Sequence, residues 1–397
     1  MREYEFADRI SNLKPSIIRE ILKGQDASVI PFSAGNPAAA SFPFEEMRIL
    51  SDEIFRNNAP LALQYSITEG YGPLREKVKA RIKEKKNIGR EYDDLIIVSG
   101  GQQAIHLATA ALCNEGDTVL CEDPSFIGAL NAFRAFNLKL KGVTLEDDGI
   151  NIEELEALLT EDKKVKLLYL IPNFQNPAGS TMSLAKRKAA LALCKKHGVI
   201  VLEDDPYGDL RFRGEEIATM KSMDEDGDVI YCGSFSKTLS AGIRLGFVSA
   251  HKSIIAKMTV FKQTSDVHTN MFFQLLADMY LARYDFDAHI EKIRGLYREK
   301  SSLMATEIKT HFPKEVKVSK PEGGLFVWCT LPDNLDGIEF AKLSTANKVA
   351  VVPGTAFCAK ENAFSPSFRM NYSTPTNEHI VKGVEILGGL LKDFIKK

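Results

Sequence analysis

An α/β fold is predicted, with a large domain built on a mostly parallel sheet between helices and a smaller α+β domain beside it. Three observations carry the prediction. The chain has 397 residues, more than one simple core accommodates. From about residue 95 to residue 250, short apolar runs alternate with longer helical stretches. After about residue 270 that alternation gives way to long helical patterns followed by isolated strands. The large domain is placed at 46–285. The small domain is placed at 1–45 together with 286–397, because chain termini often meet.

The elements follow in order. Residues 95–98 read as a strand and 102–112 as a helix, then 118–121 as a strand and 126–136 as a helix. Residues 165–171 form the next strand. Ser183 is a helix N-cap, its helix running to His197 with Gly198 as the stop. Strands follow at 199–203, 229–232 and 245–249. Apolar strands separated by helices imply a mostly parallel sheet covered on both faces. In such a sheet ligands bind beyond the C-terminal strand ends. The segments at those ends, 99–103, 172–179, 204–207 and 233–237, are all rich in polar residues, Gly or Pro. The second part of the chain reads as helices at 274–284 and 290–309, strands near 325–329, 350–352 and 367–372, and a final helix to the end.

Composition narrows the function classes. A net charge of −2 offers no footprint for nucleic acid or for an anionic membrane. Cys113, Cys121, Cys194, Cys232, Cys329 and Cys358 form no CxxC pair and mostly sit in apolar runs, so they read as buried free thiols. No Cys/His cluster has zinc-ligand spacing. Residues 1–14 alternate charged and apolar types, unlike a signal peptide, and no run approaches the roughly 20 apolar residues of a membrane helix. A reducing, cytoplasmic setting fits these features.

Six motifs carry chemistry. In Gly233-Ser234-Phe235-Ser236-Lys237, followed by Arg244, a lysine sits among small hydroxyl residues with a second cation seven positions on. Most lysines are solvated charges. A Schiff-base lysine instead needs a neutral amine, and a cationic, partly dry setting lowers its pKa. Ser234, Ser236 and Arg244 also suit a phosphate dianion. Ser99-Gly100-Gly101-Gln102-Gln103 lies between a strand and a helix, where exposed N–H groups bind anions. It is neither a P-loop nor a GxGxxG turn.

Glu203-Asp204-Asp205-Pro206-Tyr207 ends an apolar strand; it reads as a turn cluster, or as the source of one carboxylate for a pyridine nitrogen, with Asp204 the best placed. Pro172–Gly179 reads as an Asn-Pro turn, or as a loop presenting Asn176 to a phenolic oxygen. Phe126 is either core or a ring that stacks on a flat heterocycle. Arg369, inside the apolar run 368–372, is costly to bury unless paired, and a substrate carboxylate is a suitable partner.

Together these residues resemble the fold-type-I pyridoxal-phosphate (PLP) aminotransferases of class I/II. The likeness is to the branch with 2-aminoadipate and aromatic aminotransferases and the aminotransferase-like domains of MocR-type regulators, and it covers roughly residues 16–391. The resemblance implies a large domain with a seven-stranded-type sheet. It gives Lys237 the Schiff base and the proton transfer. Asp204 would pair with the pyridine nitrogen, Tyr207 and Asn176 would meet the phenolic oxygen, and Phe126 would stack on the ring. Gly101, Gln102, Ser234, Ser236 and Arg244 would hold the phosphate, and Arg369 the substrate α-carboxylate. Tyr65 would reach a neighbouring subunit's phosphate, which implies a homodimer with shared sites. Gly35 and Asn36 would lie on a loop closing over substrate.

The implied reaction moves an amino group from an amino acid, aromatic or 2-aminoadipate-like, to a 2-oxo acid such as 2-oxoglutarate. Two departures stand out. Phe126 occupies a position that is often Tyr in such proteins, and the loop 32–37 lacks the Gly-Gly-Leu-Pro form of the 2-aminoadipate branch. Arg19 reads as a solvated helix charge, or as a partner for an acidic substrate side chain. A PLP-dependent C–S β-lyase would share every cofactor residue. A PLP-sensing regulator would need a DNA-binding domain that the sequence does not show.

Overall fold

The computed structural model describes residues 4–7, 10, 13, 28–332 and 334–396. Arg19 lies outside the described residues. The elements used below are α1 (Phe44–Asn57), α2 (Ala59–Leu63), α3 (Gly72–Lys86), β1 (Asp93–Val98), α4 (Gly101–Leu112), β2 (Thr118–Asp123), α5 (Ile127–Ala135), β3 (Lys139–Glu146), β4 (Gly149–Ile150), α6 (Ile152–Glu161), β5 (Val165–Leu170), α7 (Leu184–His197), β6 (Ile200–Asp205), α8 (Met220–Met223), β7 (Val229–Ser234), β8 (Gly246–His251), α9 (Lys252–Ser265), α10 (Met271–Arg283) and α11 (Phe286–His311). The rest of the chain supplies β9 (Lys317–Val318), β10 (Phe326–Thr330), α12 (Gly337–Ala346), β11 (Val352–Pro353), β12 (Ser367–Asn371) and α13 (Asn377–Phe394).

The main sheet has eight strands in the order β1-β8-β7-β6-β5-β2-β3-β4. Its β7-β6-β5-β2-β3 stretch is parallel, and β8 runs antiparallel to both its neighbours. The eighth strand, β4, is a two-residue hairpin arm on β3. The remaining seven match the expected sheet. Alternation explains why the strands read as continuously apolar. Leu95 and Ile97 pack into one buried cluster while Ile96 and Val98 pack into another. In β5, Leu167 and Tyr169 face one way and Leu168 and Leu170 the other. With both faces covered, each large aliphatic side chain contributes about 1.5–3 kcal/mol by leaving water.

The expected caps are present: Ser183 accepts the N–H of Lys186, and Gly198 ends α7 at φ 68°. The sequence reading omitted β3, whose residues Lys139, Thr144 and Glu146 are exposed and break the apolar pattern. It also omitted α9, whose sequence mixes Lys, Thr and apolar residues without a clean stripe.

A second, antiparallel sheet runs β11-β12-β10-β9 and packs against α12 and α13. The N-terminal segment joins it: Ile30 exchanges hydrogen bonds with Lys348 and Ala350, and the N–H of Asn371 donates to Phe32 O. One long helix, α11, spans both regions, contacting α13 of the second sheet's layer and the short turn Gly208–Leu210 beyond β6. Among the described residues no helix is long and apolar enough to cross a membrane.

Candidate active site

The ends of β6 and β7 fix the first two groups. Asp204 pairs in register with Cys232, and three residues beyond β7 the chain reaches Lys237. Lys237 is partly buried and donates to Gly35 O at 2.8 Å. Burial, then the cations Arg369 and Arg244, bring its amine down to about 8, so a useful fraction is neutral near pH 7.

Strand alternation sorts the three adjacent carboxylates. Glu203 accepts the N–H groups of Met220 and Lys221 at 2.9 and 2.8 Å. Asp205 accepts from Asn173 (2.9 Å), Tyr231 (2.7 Å) and Lys86 (3.1 Å). Burial works against the charge of Asp205, but Lys86 and these hydroxyl and amide donors hold its pKa below the ordinary value. Asp204 points the other way and has only the Tyr169 hydroxyl, 2.7 Å away. Among the described residues no cation offsets its burial, and its carboxyl is pushed up to about 7. A buried acid of this kind suits a protonated heterocyclic nitrogen, which would restore its charge.

The phosphate candidates gather at the start of α4. Arg244 donates to Ser99 O (3.3 Å), Ala241 O (3.1 Å) and the Ser236 hydroxyl (3.4 Å), while the Ser234 hydroxyl accepts the Ser236 N–H at 3.1 Å. Gly100, at φ 84°, admits this arrangement because a Cβ there would lie 2.5 Å from the Arg244 guanidinium. Gly101 opens the twelve-residue α4, whose first N–H groups are available to an anion, and its position is close to Asp204. The side chain of Gln102 turns away to Gly128 O at 2.7 Å, so its backbone is what the cup receives. Phe126 caps α5, with its ring folded over Gly128.

Arg369 enters from β12 in the second sheet and is 3% exposed. One guanidinium nitrogen donates to the Asn176 side-chain oxygen at 2.9 Å, and another to the carbonyls of Ser33 (2.9 Å) and Ala34 (3.3 Å). It lies between the rings of Phe326 and Phe357, 4.2 and 5.1 Å from their centroids. Its Nε has no partner, and no carboxylate offsets its burial among the described residues. Burial lowers its pKa to about 10, the mark of a cation lacking an anion. Tyr207 is buried, with its ring 6.0 Å from the Lys237 amine; burial holds its hydroxyl well above the ordinary value, while Asn176 and Arg369 oppose that. Asn36 contributes its carbonyl to the hydroxyls of Ser373 (2.7 Å) and Thr374 (3.0 Å).

Lys237, Gly35, Arg369, Asn176 and Tyr207 thus form one connected group, with Asp204 and the cup of Gly101, Ser236 and Arg244 beside it. Tyr65 stands apart. It is 81% exposed; its ring lies 5.9 Å from that of His268, and its N–H donates to the Gln64 side chain at 2.8 Å. Sequence reasoning missed Tyr169, which places its hydroxyl on Asp204 from the neighbouring strand. It also missed Lys262 and Asp266, which brace the cup: the Asp266 carboxylate accepts from Lys262 (2.6 Å), Ser99 (2.9 Å) and Gln103 (2.8 Å). A tyrosine in an apolar strand was the available signal for the first. The second is a long-range contact with no local signal.

The sequence profile of the aminotransferase class I and II family matches residues 27–387. The chain belongs to the class I and II aminotransferases. It is 38% identical to aromatic-amino-acid aminotransferase 1 of Thermococcus litoralis, over 100% of this chain and 96% of that one. Among solved structures it resembles the kynurenine aminotransferase of Pyrococcus horikoshii, with a TM-score of 0.95, 36% identity and coverage of 99% of this chain and 98% of that one. It also resembles the α-aminoadipate aminotransferase of Thermus thermophilus in complex with N-(5'-phosphopyridoxyl)-L-leucine, with a TM-score of 0.90, 35% identity and coverage of 98% of each chain. The fold is therefore fold type I, and the enzyme is an amino-group transferase that works with PLP. The residues fit that group: an amine of lowered pKa, a buried acid without a cation, and a helix N-terminus flanked by Arg244 and two serines.

Proposed function

We propose that this aminotransferase takes the amino group of an aromatic or 2-aminoadipate-like amino acid and passes it to a 2-oxo acid such as 2-oxoglutarate. The observation that carries the reading is the buried Arg369 guanidinium, with an unpartnered Nε and no carboxylate, beside an amine of lowered pKa. An amino acid presents its α-carboxylate to such a cation and its Cα to Lys237. The aromatic walls from Phe326 and Phe357 and the names of the relatives support the substrate class.

Each residue then has a task. Lys237 would hold the cofactor through its amine and, when that amine is free, would take up and return the proton at the substrate Cα. Asp204, fixed by Tyr169, would pair with the ring nitrogen; when bound, the cofactor would supply the electron sink that makes the Cα proton removable. Tyr207 and Asn176 would meet the phenolic oxygen, and Phe126 would stack on the ring. Gly101, Gln102, Ser234, Ser236 and Arg244 would hold the phosphate. Gly35 and Asn36 belong to the loop that covers the substrate.

The enzyme works as a homodimer in this reading. The exposed Tyr65 lies near exposed Leu61, Leu63 and Ile67 in the chain, an apolar segment suited to a second subunit whose phosphate Tyr65 would reach. The domain division at 46–285, with 1–45 and 286–397 forming the smaller unit, is supported by the bonds of the Ile30–Phe32 segment to the second sheet. A cytoplasmic setting is supported by the six free cysteines.

The test is a visible absorption spectrum of the purified protein before and after amino acids are added without an acceptor. A lysine–cofactor band absent in Lys237→Ala, and bleached by aromatic amino acids, 2-aminoadipate or glutamate, is the expected result. Release of pyruvate and ammonia from cystathionine with no keto acid present would replace this reading with β-elimination.

A further inference from the structure

One buried acid near the site has no task in the proposed reaction. Glu122, in β2, is 2% exposed. Its Oε2 accepts the N–H of Ile171 at 3.1 Å and the side-chain amide of Gln175 at 3.0 Å. Among the described residues no cation lies on it; burial pushes its carboxyl up to about 8, with the Asp204 charge adding to the shift. An acid so placed is mostly neutral at physiological pH and serves as a hydrogen-bonding group rather than a charge.

Gln175 uses nearly all of its capacity within one turn. Its Nε2 also donates to Pro124 O at 2.9 Å, and its Oε1 accepts the Ala178 N–H at 2.8 Å. Its own N–H donates to Ser180 O at 2.9 Å, and its carbonyl accepts the Gly179 N–H at 2.6 Å. Those bonds close the turn around Asn176 from both sides. The turn is also tight against the second sheet, since a Cβ on Gly179, at φ 70°, would lie 2.7 Å from Phe326 O. Asn176, the next residue after Gln175, accepts from Arg369 at 2.9 Å. A path therefore runs from the buried acid by a hydrogen bond to the Gln175 amide, along the chain to Asn176, and by a second hydrogen bond to the arginine proposed to hold substrate.

We propose that Glu122 and Gln175 are positioning residues for the reaction: the acid orients the Gln175 amide, the amide fixes the turn, and the turn places Asn176 between the cofactor's phenolic oxygen and Arg369. The inference rests on the assignment of Asn176 made above. Leucine at position 122 keeps the volume and removes the acceptor. Glutamine there keeps a neutral side-chain oxygen facing Ile171 and Gln175, so it is the conservative replacement.

The experiment compares holoenzymes carrying Asn176→Ala, Gln175→Leu, Glu122→Leu and Glu122→Gln. Three quantities are read: the pH midpoint of the visible lysine–cofactor band, KM and kcat for the amino donor, and Tm. Gln175→Leu and Glu122→Leu are expected to move the midpoint in the same direction as Asn176→Ala and to raise KM about tenfold. Glu122→Gln is expected to keep the wild-type midpoint and KM. If Asn176→Ala moves the midpoint while Gln175→Leu and Glu122→Leu lower only Tm, the pair merely supports the fold and the inference is overturned. If Glu122→Gln is displaced as far as Glu122→Leu, the role given to the acceptor is wrong. If Asn176→Ala itself moves neither midpoint nor KM, the assignment of Asn176 falls and takes the inference with it. Should Glu122→Leu fail to fold, Gln175→Leu and Glu122→Gln decide the matter.

Discussion

Replacing Arg369 by lysine keeps the charge and removes the fork. In the structure the guanidinium reaches Asn176 with one nitrogen and the carbonyls of Ser33 and Ala34 with another, leaving Nε unpartnered. A lysine amine is a single point donor and cannot keep these bonds while also presenting two N–H groups to a carboxylate. A hydrogen bond to a charged group contributes about 1.5–3 kcal/mol, so losing one of a bidentate pair weakens substrate binding by roughly one to two powers of ten. The apolar walls of Phe326 and Phe357 work in the same direction, since they exclude the water that would otherwise compensate. KM for the amino donor should rise by that factor. The visible lysine–cofactor band should remain, because Arg369 does not touch the phosphate cup. The assay is steady-state kinetics with the band recorded on the same samples. An unchanged KM with an intact band would refute the placement of the substrate carboxylate at Arg369.

Three further expectations follow from the charges around the site. The carboxyl of Asp204 is raised from 3.8 to about 7 in the folded apoprotein, so its contribution to stability is present below about pH 4 and is lost as pH rises toward 7; apo Asp204→Asn should lose less Tm than apo wild type over that window, and an identical pH profile would count against an isolated buried acid. Tyr169→Phe removes the one donor on Asp204, which lowers that carboxyl's pKa, so the acid should rise further and pair less well with the ring nitrogen; kcat should fall about tenfold with KM little changed, the lost bond being worth about 1 kcal/mol or somewhat more. Lys262→Met leaves the Asp266 carboxylate uncompensated beneath a site for a phosphate dianion, so titration of the apoprotein should show cofactor affinity weakened by at least about tenfold, and Lys262→Met with Asp266→Asn should recover part of it.

How much of this was legible in the sequence depended on the range of the interaction. The strand ends were readable because both-face burial makes β1, β5 and β6 continuously apolar, and polar motifs then stand out where the apolar runs stop. Asp204 was chosen among three neighbouring acids because Tyr207 follows it by three residues. The structure supplies the physical ground, since alternation sends Glu203 and Asp205 to donors on the other face. Lys262 and Asp266 were not legible: their link to Ser99 spans 167 positions and sits on a helix with mixed patterning. Glu122 has no local signal in the sequence, and only its contact with Gln175 gives it meaning.

The site draws its parts from two sheets, and that division bears on specificity. Asp204, Tyr169 and Glu122 stand on adjacent strands of one sheet, where register fixes them to their neighbours. Arg369 comes from a different sheet and meets Asn176 across the boundary between the two, while Gly35 reaches Lys237 from a segment bonded to that second sheet. In the proposed reaction, the chemistry common to every amino acid substrate would rest on the main sheet, and recognition of the carboxylate and of the side chain on groups whose placement depends on how the two sheets meet. Substitutions on β5 and β6 should change kcat for all substrates alike, whereas changes in 33–36 or around β12 should alter the ranking of substrates, because the latter carry or contact Arg369.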